Sequence, residues 1–452
     1  MYLQKHELYK ELEKGNERQK SDALIKILHE TDGKTLIYAG THTNVDTVSN
    51  LLNTKLEVED NKLLASFSEW LAENYSVNWS LTNLVQRKTG IHTGRLHRSL
   101  SQIQIKLFEE PDGLKNIIST SSIIEGVNTS AQNVVIWRNK IGSSNLTDFT
   151  YKNIIGRGGR MFKHFIGQIY LLEEPPAEKI TELNISLPEN LLADIDEDSF
   201  TDEASKERLK NIIATKSELR KLLGSSFDKL LRENIFQTSD AYLIKTIAED
   251  MLQNRSEWNG LANLNSSNPQ NWDRLLYKIM NLSRGEWGEW KKFREFVKIL
   301  ANNWEMTIPE LLRELEISEI GLNSFFELEK KVTFNLSALI SDVNELQKIL
   351  LNTGTDISSF VAKAAHAFLP TPVFQLEEYG LPRMISKKIH QADLINFEDK
   401  ELDIHSAIGK LLTIGNEKIN RLDTISYFDS YIVNHFFDGI RRVDKNEMAV
   451  RN

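Results

Sequence analysis

Gly156, Arg157, Gly158, Gly159 and Arg160 form the segment of this sequence with the most evident chemical use. Two arginines three positions apart bring two rigid guanidinium forks to one spot, and the glycines let the backbone approach it closely. Planar, bidentate donors suit a phosphate group, and an arginine that meets a γ-phosphate in the transition state strongly accelerates its transfer. The alternative is a glycine-rich surface turn with two solvated arginines. Taken alone, the pentapeptide favours the surface turn.

Three short runs rich in Ile and Val lie in the same region, at residues 116–119, 133–137 and 168–172. Continuous apolar runs separated by helix-length segments are typical of buried parallel strands. In such sheets the ligand-binding groups lie in loops at the carboxyl ends of the strands. We therefore expect an α/β domain with a parallel sheet. Its carboxyl-end loops would carry residues 120–122, 125–128 and 156–160.

Four segments resemble motifs of superfamily 2 helicases, most of all those of the Ski2-like branch. Residues 121–137 (SSIIEGVNTSAQNVVIW) and 151–160 (YKNIIGRGGR) are similar to motifs V and VI. Upstream, residues 34–41 (KTLIYAGT) are similar to motif IV, and residues 90–110 to the segment that follows it. The segments occur in the family's order within residues 25–175. The resemblance implies that this region is the second of the two RecA-like domains of a helicase.

The amino-acid sequences of motifs V and VI are also similar to those of one subgroup of these helicases. Residues 123–137 (IIEGVNTSAQNVVIW) and 156–176 (GRGGRMFKHFIGQIYLLEEPP) resemble the HamB helicase subunits of the Hachiman anti-phage system. This resemblance implies a role in antiviral defence and a HamA-like nuclease as a partner.

The helicase resemblance assigns expected roles at the nucleotide. Arg157 and Arg160 match the arginine fingers, which are catalytic and contact the bound nucleotide. Gly126 and Asn128 would lie near the nucleotide, and Asn128 stands where many relatives carry Asp. The implied cofactors are ATP and Mg²⁺, with the Mg²⁺ ligands on the first RecA-like domain.

A second set of residues is expected at the nucleic acid. Thr120 and Ser121 of motif V would contact its backbone, and Arg95 lies in a loop that approaches the phosphates in such helicases. Asn153 is placed with them, although relatives usually carry Gln there and its side chain is one methylene shorter. His92 and His97 lie close to Arg95, but their spacing does not align them on a helix and no carboxylate is nearby, so we predict no metal site.

Composition bounds the class of protein. The chain has 452 residues, 40% of them apolar, which allows two or three packed domains. It contains no cysteine, which excludes disulfides, thiolate metal sites and cysteine nucleophiles. No apolar run approaches the length of a membrane helix, and the charged first residues do not resemble a secretion signal. We expect a cytoplasmic protein without a membrane partner.

Charge is unevenly distributed along this acidic chain, whose formal net charge is −9. Residues 74–108 contain no Asp or Glu but five Lys and Arg, and residues 138–163 contain six Lys and Arg against Asp148 alone. Local basic patches on an acidic chain fit a surface that follows phosphates, and they fit a solvated helical face equally well. We expect single-stranded or partly duplex nucleic acid as the partner, DNA in preference to RNA, although no base-reading module separates the two.

The predicted organisation has four parts. Residues 1–24 form a helical lead-in, and residues 25–175 form the second RecA-like domain, with an insertion at about 53–88. An acidic linker follows at 176–205, and 206–452 form a helical accessory region, in one or two subdomains. Five tryptophans in the last part could stack on bases, but core positions are the commoner role for aromatic residues in a large helical region: Trp258, Trp272, Trp287, Trp290 and Trp304.

Two short segments resemble the P-loop and the acidic box of a first RecA-like domain, but neither fits. Gly33-Lys34-Thr35 is not a P-loop, because Leu28 stands where the motif needs glycine and the triplet precedes a strand, so we predict a turn. Asp202-Glu203-Ala204-Ser205 spells an acidic box but lies in a hydrophilic run after motif VI. The chain is therefore expected to be the carboxyl-terminal part of a longer helicase, or one subunit of a split one.

The function predicted from the sequence is the second half of an ATP-dependent helicase or translocase. It would be inactive until a P-loop-bearing first domain is supplied in cis or in trans. The alternative is a non-enzymatic adaptor or nucleic-acid-binding protein that retains a RecA-like fold.

Overall fold

The computed structural model describes residues 2–123, 131–158, 166–177, 213–215, 217–227, 230, 235–238, 240–283, 285–352 and 354–450. Within the chain, contacts define two compact units. Unit 1 consists of Met1–Glu182 together with Pro372–Asn452, and unit 2 consists of Leu183–Thr371. Residues 206–452 were predicted to form a helical region in one or two subdomains. In the structure, Pro372–Asn452 belong to the unit that contains the sheet.

Unit 1 contains a six-stranded parallel sheet in the order β1-β8-β5-β2-β4-β3. A separate two-stranded antiparallel hairpin, β6–β7, follows β5 in the chain. The strands are β1 (Tyr2–His6), β2 (Thr35–Tyr38), β3 (Thr89–His92), β4 (Asn116–Ser119), β5 (Asn133–Ile136), β6 (Lys140–Ile141), β7 (Ser144–Asn145) and β8 (Ile166–Leu171).

The central strands form where the sequence is continuously apolar. Every residue of β2, β3, β4 and β5 is buried, as parallel strands covered on both faces require. The α/β fold class and the strands predicted from the three apolar runs are confirmed. Gly33 adopts φ +82° and begins the turn into β2, as predicted. The ammonium of Lys34 donates to the carbonyl oxygens of Glu110 and Leu114, each at 2.6 Å.

The first residues of the chain correct the prediction of a helical lead-in. Tyr2–His6 form strand β1, which pairs in parallel with β8. The imidazole ring of His6 stacks on Tyr170 with 4.6 Å between centroids, and its Nε2 lies 2.7 Å from Oε1 of Gln168. These are contacts with residues more than 160 positions away. A polar pentapeptide shows no strand signal of its own, because β8 supplies the pairing.

Helices flank the sheet between the strands. The side chains of Asn16, Thr41, Asn61 and Thr147 each accept a hydrogen bond from a backbone N–H in the first turn of the following helix, which fixes where it begins. The predicted insertion contains two short helices, α3 and α4. The helices of this part are α1 (Glu17–Glu30), α2 (His42–Lys55), α3 (Lys62–Asn74), α4 (Ser80–Val85), α5 (Arg98–Glu109) and α6 (Asp148–Ile155).

The carboxyl-terminal helices of unit 1 pack on the insertion through buried aromatic and charged groups. Asp429 is fully buried, accepts the indole N–H of Trp70 at 2.8 Å and pairs with the ammonium of Lys388 at 2.7 Å. Phe428 stacks on Phe67 with 4.6 Å between ring centroids. The helices here are α14 (Thr371–Glu378), α15 (Arg383–Gln391), α16 (Ile404–Ile414), α17 (Asn416–Asn420) and α18 (Tyr427–Val450).

Unit 2 is helical in its described residues, and its tryptophans are mostly core residues. Trp258, Trp272, Trp287 and Trp304 are buried, whereas Trp290 is 37% exposed. Its principal helices are α7 (Ala241–Gln253), α8 (Asp273–Leu282), α9 (Trp290–Leu300), α10 (Ile308–Leu315), α11 (Leu322–Lys330), α12 (Ser337–Leu350) and α13 (Ser358–Ala365). A π-helical turn, Lys331–Leu336, joins α11 to α12. Among the residues described in both units, no helix is long and apolar enough to cross a membrane.

Candidate functional site

The carboxyl ends of β3 and β4 bring together two loops that the sequence analysis selected. The two strands run in parallel with His92 opposite Ser119, so the loop that begins at Thr93 lies beside the loop that begins at Thr120. The backbone N–H of Thr120 donates to the carbonyl oxygen of His92 at 3.4 Å. Arg95, Thr120 and Ser121 therefore lie in loops at the carboxyl end of the sheet, which is referred to below as the carboxyl edge.

Hydroxyl groups line this carboxyl edge. Oγ of Ser122 lies 3.2 Å from Nδ1 of His92 and 3.4 Å from both the carbonyl oxygen of His92 and Oγ1 of Thr120. The side chain of Ser121 is half-buried. Hydroxyl groups can donate to phosphate oxygens, and such contacts hold a nucleic-acid backbone in register. His92 and Ser122 were not among the predicted site residues, although Ser122 belongs to the expected carboxyl-end loop at residues 120–122 and His92 was considered only as a metal ligand.

His92 contributes polarity to the carboxyl edge without a positive charge. Burial lowers its pKa from 6.5 to about 4, so its imidazole is neutral at physiological pH. His97 faces another direction: its Nδ1 lies 3.2 Å from the hydroxyl of Tyr75 and its Nε2 lies 3.3 Å from Nη2 of Arg383. The two histidines thus have separate surroundings.

The charge of Arg95 is partly balanced by helix α2. Burial raises the pKa of Asp46 in α2, and the nearby positive charge of Arg95 opposes that rise. The side chain of Arg95 is half-buried. The neighbouring Arg98 is more exposed and lies 4.0 Å from a carboxylate oxygen of Glu378.

Arg157 lies at the opposite end of the strands, which corrects the prediction of a carboxyl-end loop for Gly156, Arg157 and Gly158; the remaining two residues of the predicted loop lie outside the described residues. These three residues precede β8, and Gly158 forms a parallel bridge with Ala131, two residues before β5. The backbone N–H of Ala131 donates to the carbonyl oxygen of Arg157 at 3.2 Å. Because β5 and β8 are parallel, this turn lies at their amino ends. Composition alone does not show whether a loop leaves a strand or enters one.

Close packing accounts for two glycines near this amino edge. A Cβ on Gly167 would lie 2.5 Å from the carbonyl oxygen of Gly158, and a Cβ on Gly158 would lie 2.8 Å from Cδ1 of Ile169. Both approaches are shorter than real Cβ contacts. Gly158 therefore has a structural reason to be glycine, independent of any phosphate.

The remaining predicted site residues have mixed outcomes. Asn153 is half-buried in α6, one helical turn before Arg157, so it accompanies the amino edge rather than Thr120 and Ser121. The side chain of Arg157 is half-buried. Gly126, Asn128 and Arg160 lie outside the described residues.

A charged network at the carboxyl ends of β5 and β8 was not predicted as part of a site. Glu173 accepts hydrogen bonds from Lys20 at 2.8 Å, from Arg138 at 2.7 Å and from the backbone N–H of Asn139 at 2.8 Å. Burial would raise the pKa of Glu173, but these hydrogen bonds outweigh it and lower the pKa. Arg138 and Glu173 each lie just after a strand, and that position was the available sequence signal.

No protein-family model matches the chain. The chain is similar to Anti-bacteriophage protein B of Escherichia coli (strain K12), with 33% identity over 194 residues. The match covers 41% of this chain and 25% of that protein. The chain thus spans about a quarter of the relative that it matches.

Proposed function

We propose that this chain supplies the second RecA-like half of a nucleic-acid-dependent ATPase, a helicase or translocase, that acts in antiviral defence. The observation that carries the proposal is that two polar loops lie at opposite ends of the strands of one parallel sheet. The hydroxyl-lined loop of Thr120 and Ser122 lies at the carboxyl ends of β3 and β4. The Arg157 turn lies at the amino ends of β5 and β8. A rigid sheet between two sites is what a motor needs to couple nucleotide state to its grip on a polynucleotide.

Arg157, which lies at the amino edge, and Arg160 are the proposed arginine fingers. Their guanidinium groups would stabilise charge that develops on the γ-phosphate of an ATP held by a P-loop-bearing first domain. Gly126 and Asn128 would line the same nucleotide. Mg²⁺ would be held by acidic residues of the first domain. The part of this chain that the structure describes contains no cluster of metal ligands that would replace them.

At the carboxyl edge, Thr120 and Ser121 would donate hydrogen bonds to the phosphates of single-stranded or partly duplex nucleic acid. Arg95 would add positive charge close by. Such contacts position a backbone without reading its sequence. Asn153 lies near the amino edge, so its proposed role changes from a nucleic-acid contact to support of the Arg157 turn.

The defence role rests on the similarity to the anti-bacteriophage protein. It agrees with the resemblance of motifs V and VI to Hachiman helicase subunits. A defence translocase would act on DNA that it recognises as foreign or disturbed. The proposed protein partners are a first RecA-like domain, in cis or in trans, and a HamA-like nuclease.

An adaptor that uses the RecA-like fold only for binding is the second candidate. The packing of Gly158 against the sheet favours this second candidate, because close packing already accounts for a glycine at that position. The two candidates differ in whether the chain changes the rate of ATP hydrolysis.

Reconstitution of the ATPase tests the proposal. Phosphate release is measured for this chain alone, and for the chain mixed with a P-loop-bearing first domain, with and without single-stranded DNA. We expect no hydrolysis by the chain alone and DNA-stimulated hydrolysis on mixing. A first domain whose P-loop Lys is replaced by Ala controls for contaminating ATPase. Hydrolysis by the isolated chain would reveal an ATP site elsewhere, and a mixture without activity would favour the adaptor.

A further inference from the structure

An exposed pair of aromatic rings distinguishes one surface of unit 2. Tyr277 of α8 and Trp290 at the start of α9 lie with 5.1 Å between ring centroids, tilted by 59°. Tyr277 is 44% exposed and Trp290 is 37% exposed. In the other ring pairs described for unit 2, at least one ring is fully buried in the helical core. The Tyr277–Trp290 pair is therefore not explained by core packing.

Two cations accompany the indole of Trp290. The ammonium of Lys291 and the guanidinium of Arg294 each lie 5.6 Å from its ring centroid. Arg294 is also 3.6 Å from Asp273 and Glu295, so part of its charge is balanced. Lys291 is exposed, and among the described residues it makes no ion pair. The surface thus combines two partly exposed aromatic rings with the positive charge of Lys291.

The helix that carries this surface is basic. The eleven residues of α9 contain four basic side chains and one acidic side chain. Lys292 is paired with Glu289 at 3.1 Å and Glu319 at 3.3 Å, and Lys298 is buried beside Asp273 and Glu295. After these pairings, the excess positive charge lies at Lys291, next to the ring of Trp290.

We infer that Tyr277 and Trp290 form a stacking platform for a base of single-stranded nucleic acid, with Lys291 placed against the adjoining phosphate. Every base has a π-face, so aromatic platforms bind single strands with little sequence preference. A phosphate beside the platform matches the charge of Lys291. A folded duplex would not fit, because its bases are stacked on one another. The inference shares only its class of partner with the proposed function and uses a different surface in a different unit.

Binding of a fluorescein-labelled oligothymidylate to the full chain tests the inference. We expect Trp290→Ala to weaken binding by about tenfold, because one lost stack costs that much in comparable proteins. Trp290→Phe retains a ring and should recover most of the affinity. Lys291→Ala should weaken binding less than Trp290→Ala does. It should also reduce the slope of log affinity against log salt concentration by about one. Tyr242→Ala, at a 69% exposed position of α7 in the same unit, is the matched control and should bind as the wild type does.

An abasic oligonucleotide separates stacking from charge. It keeps the phosphates, so the wild type and Trp290→Ala should bind it with equal affinity. If Trp290→Ala binds oligothymidylate as tightly as the wild type, the inference is wrong, and the surface would fit a protein partner instead. A wild-type chain that does not bind oligothymidylate contradicts it as well. The proposed function is judged separately by ATPase reconstitution, so either idea can fail while the other stands.

Discussion

His92 shows how burial sets the chemistry of a single residue at the carboxyl edge. Its imidazole ends β3 within hydrogen-bonding distance of Ser122 and is kept neutral by burial. A neutral ring can accept or donate a hydrogen bond without attracting a phosphate. In the proposed function the attraction for a phosphate would come from Arg95, while the ring of His92 lies 3.2 Å from the hydroxyl of Ser122.

The pH dependence of stability tests this description of His92. Its pKa is about 4 in the folded chain against an ordinary value of 6.5, so the unfolded state binds the proton first as the pH falls. The stabilisation is complete above pH 6.5 and is lost on the way down to about pH 4. We expect the wild type to lose on the order of 2 kcal/mol more than His92→Gln between these limits in urea denaturation. Between pH 7.5 and 8.5 the difference between the two proteins should be constant. A slope unchanged by the substitution would mean that His92 has the same pKa in the folded and unfolded states, which contradicts this description.

At the scale of elements, buried charges join the insertion helices to the carboxyl-terminal helices. Asp429 of α18 accepts from Trp70 of α3 and pairs with Lys388 of α15. Arg383 of α15 is likewise buried against Glu377 of α14, at 2.6 Å. Arg383 and Lys388, both on α15, therefore each take part in a structural ion pair.

Removal of the carboxylate at position 429 should be costly. Asp429→Asn leaves the ammonium of Lys388 without its counter-charge in a mostly buried site, and breaking such a pair costs about 3 kcal/mol. The free energy of unfolding from denaturant titration measures it. The matched control is Glu417→Gln, since the Glu417–Arg421 pair is more than 80% exposed at both ends and should change stability by less than about 0.5 kcal/mol. Equal effects of the two substitutions would contradict the anchoring role of Asp429.

The elements differ in how well the sequence predicts them. β4 and β5 were predicted within a residue because continuous apolar runs leave no alternative to burial on both faces. β1 was missed because its polar residues are ordered by pairing with β8. The turn at Arg157 was assigned to the opposite edge because its composition says nothing about whether it leaves or enters a strand.

At the scale of the whole molecule, the main finding is that Pro372–Asn452 belong to the same compact unit as Met1–Glu182. Helical periodicity in residues 372–452 indicates an apolar face but does not say which surface covers it. In the structure, Phe428 of this segment packs against Phe67 and Trp70 of α3 in unit 1. The sequence therefore predicted the helices of this segment but not the unit to which they belong.

Truncation tests this arrangement. A chain that ends at residue 371 lacks Phe428 and Asp429, so Phe67 and Trp70 become exposed and Trp70 loses its acceptor. We expect hydrogen exchange in α3 to accelerate by at least about a hundredfold, since several buried contacts are lost at once. Amides of α12 in unit 2 are the internal reference and should keep their protection. Unchanged exchange in α3 would show that the carboxyl-terminal helices do not stabilise unit 1.

The central claim is that Arg157 and Arg160 act on a nucleotide held by another domain. The most direct measurement is DNA-stimulated phosphate release by the reconstituted mixture, with the wild-type chain or the Arg157→Ala/Arg160→Ala variant. Loss of arginine fingers should lower kcat by roughly a thousandfold while binding of single-stranded DNA persists. Arg421→Ala, at an exposed position in unit 1, is the control and should retain full activity. If the double variant hydrolyses ATP at the wild-type rate, the two arginines are residues of a surface turn and the account is contradicted.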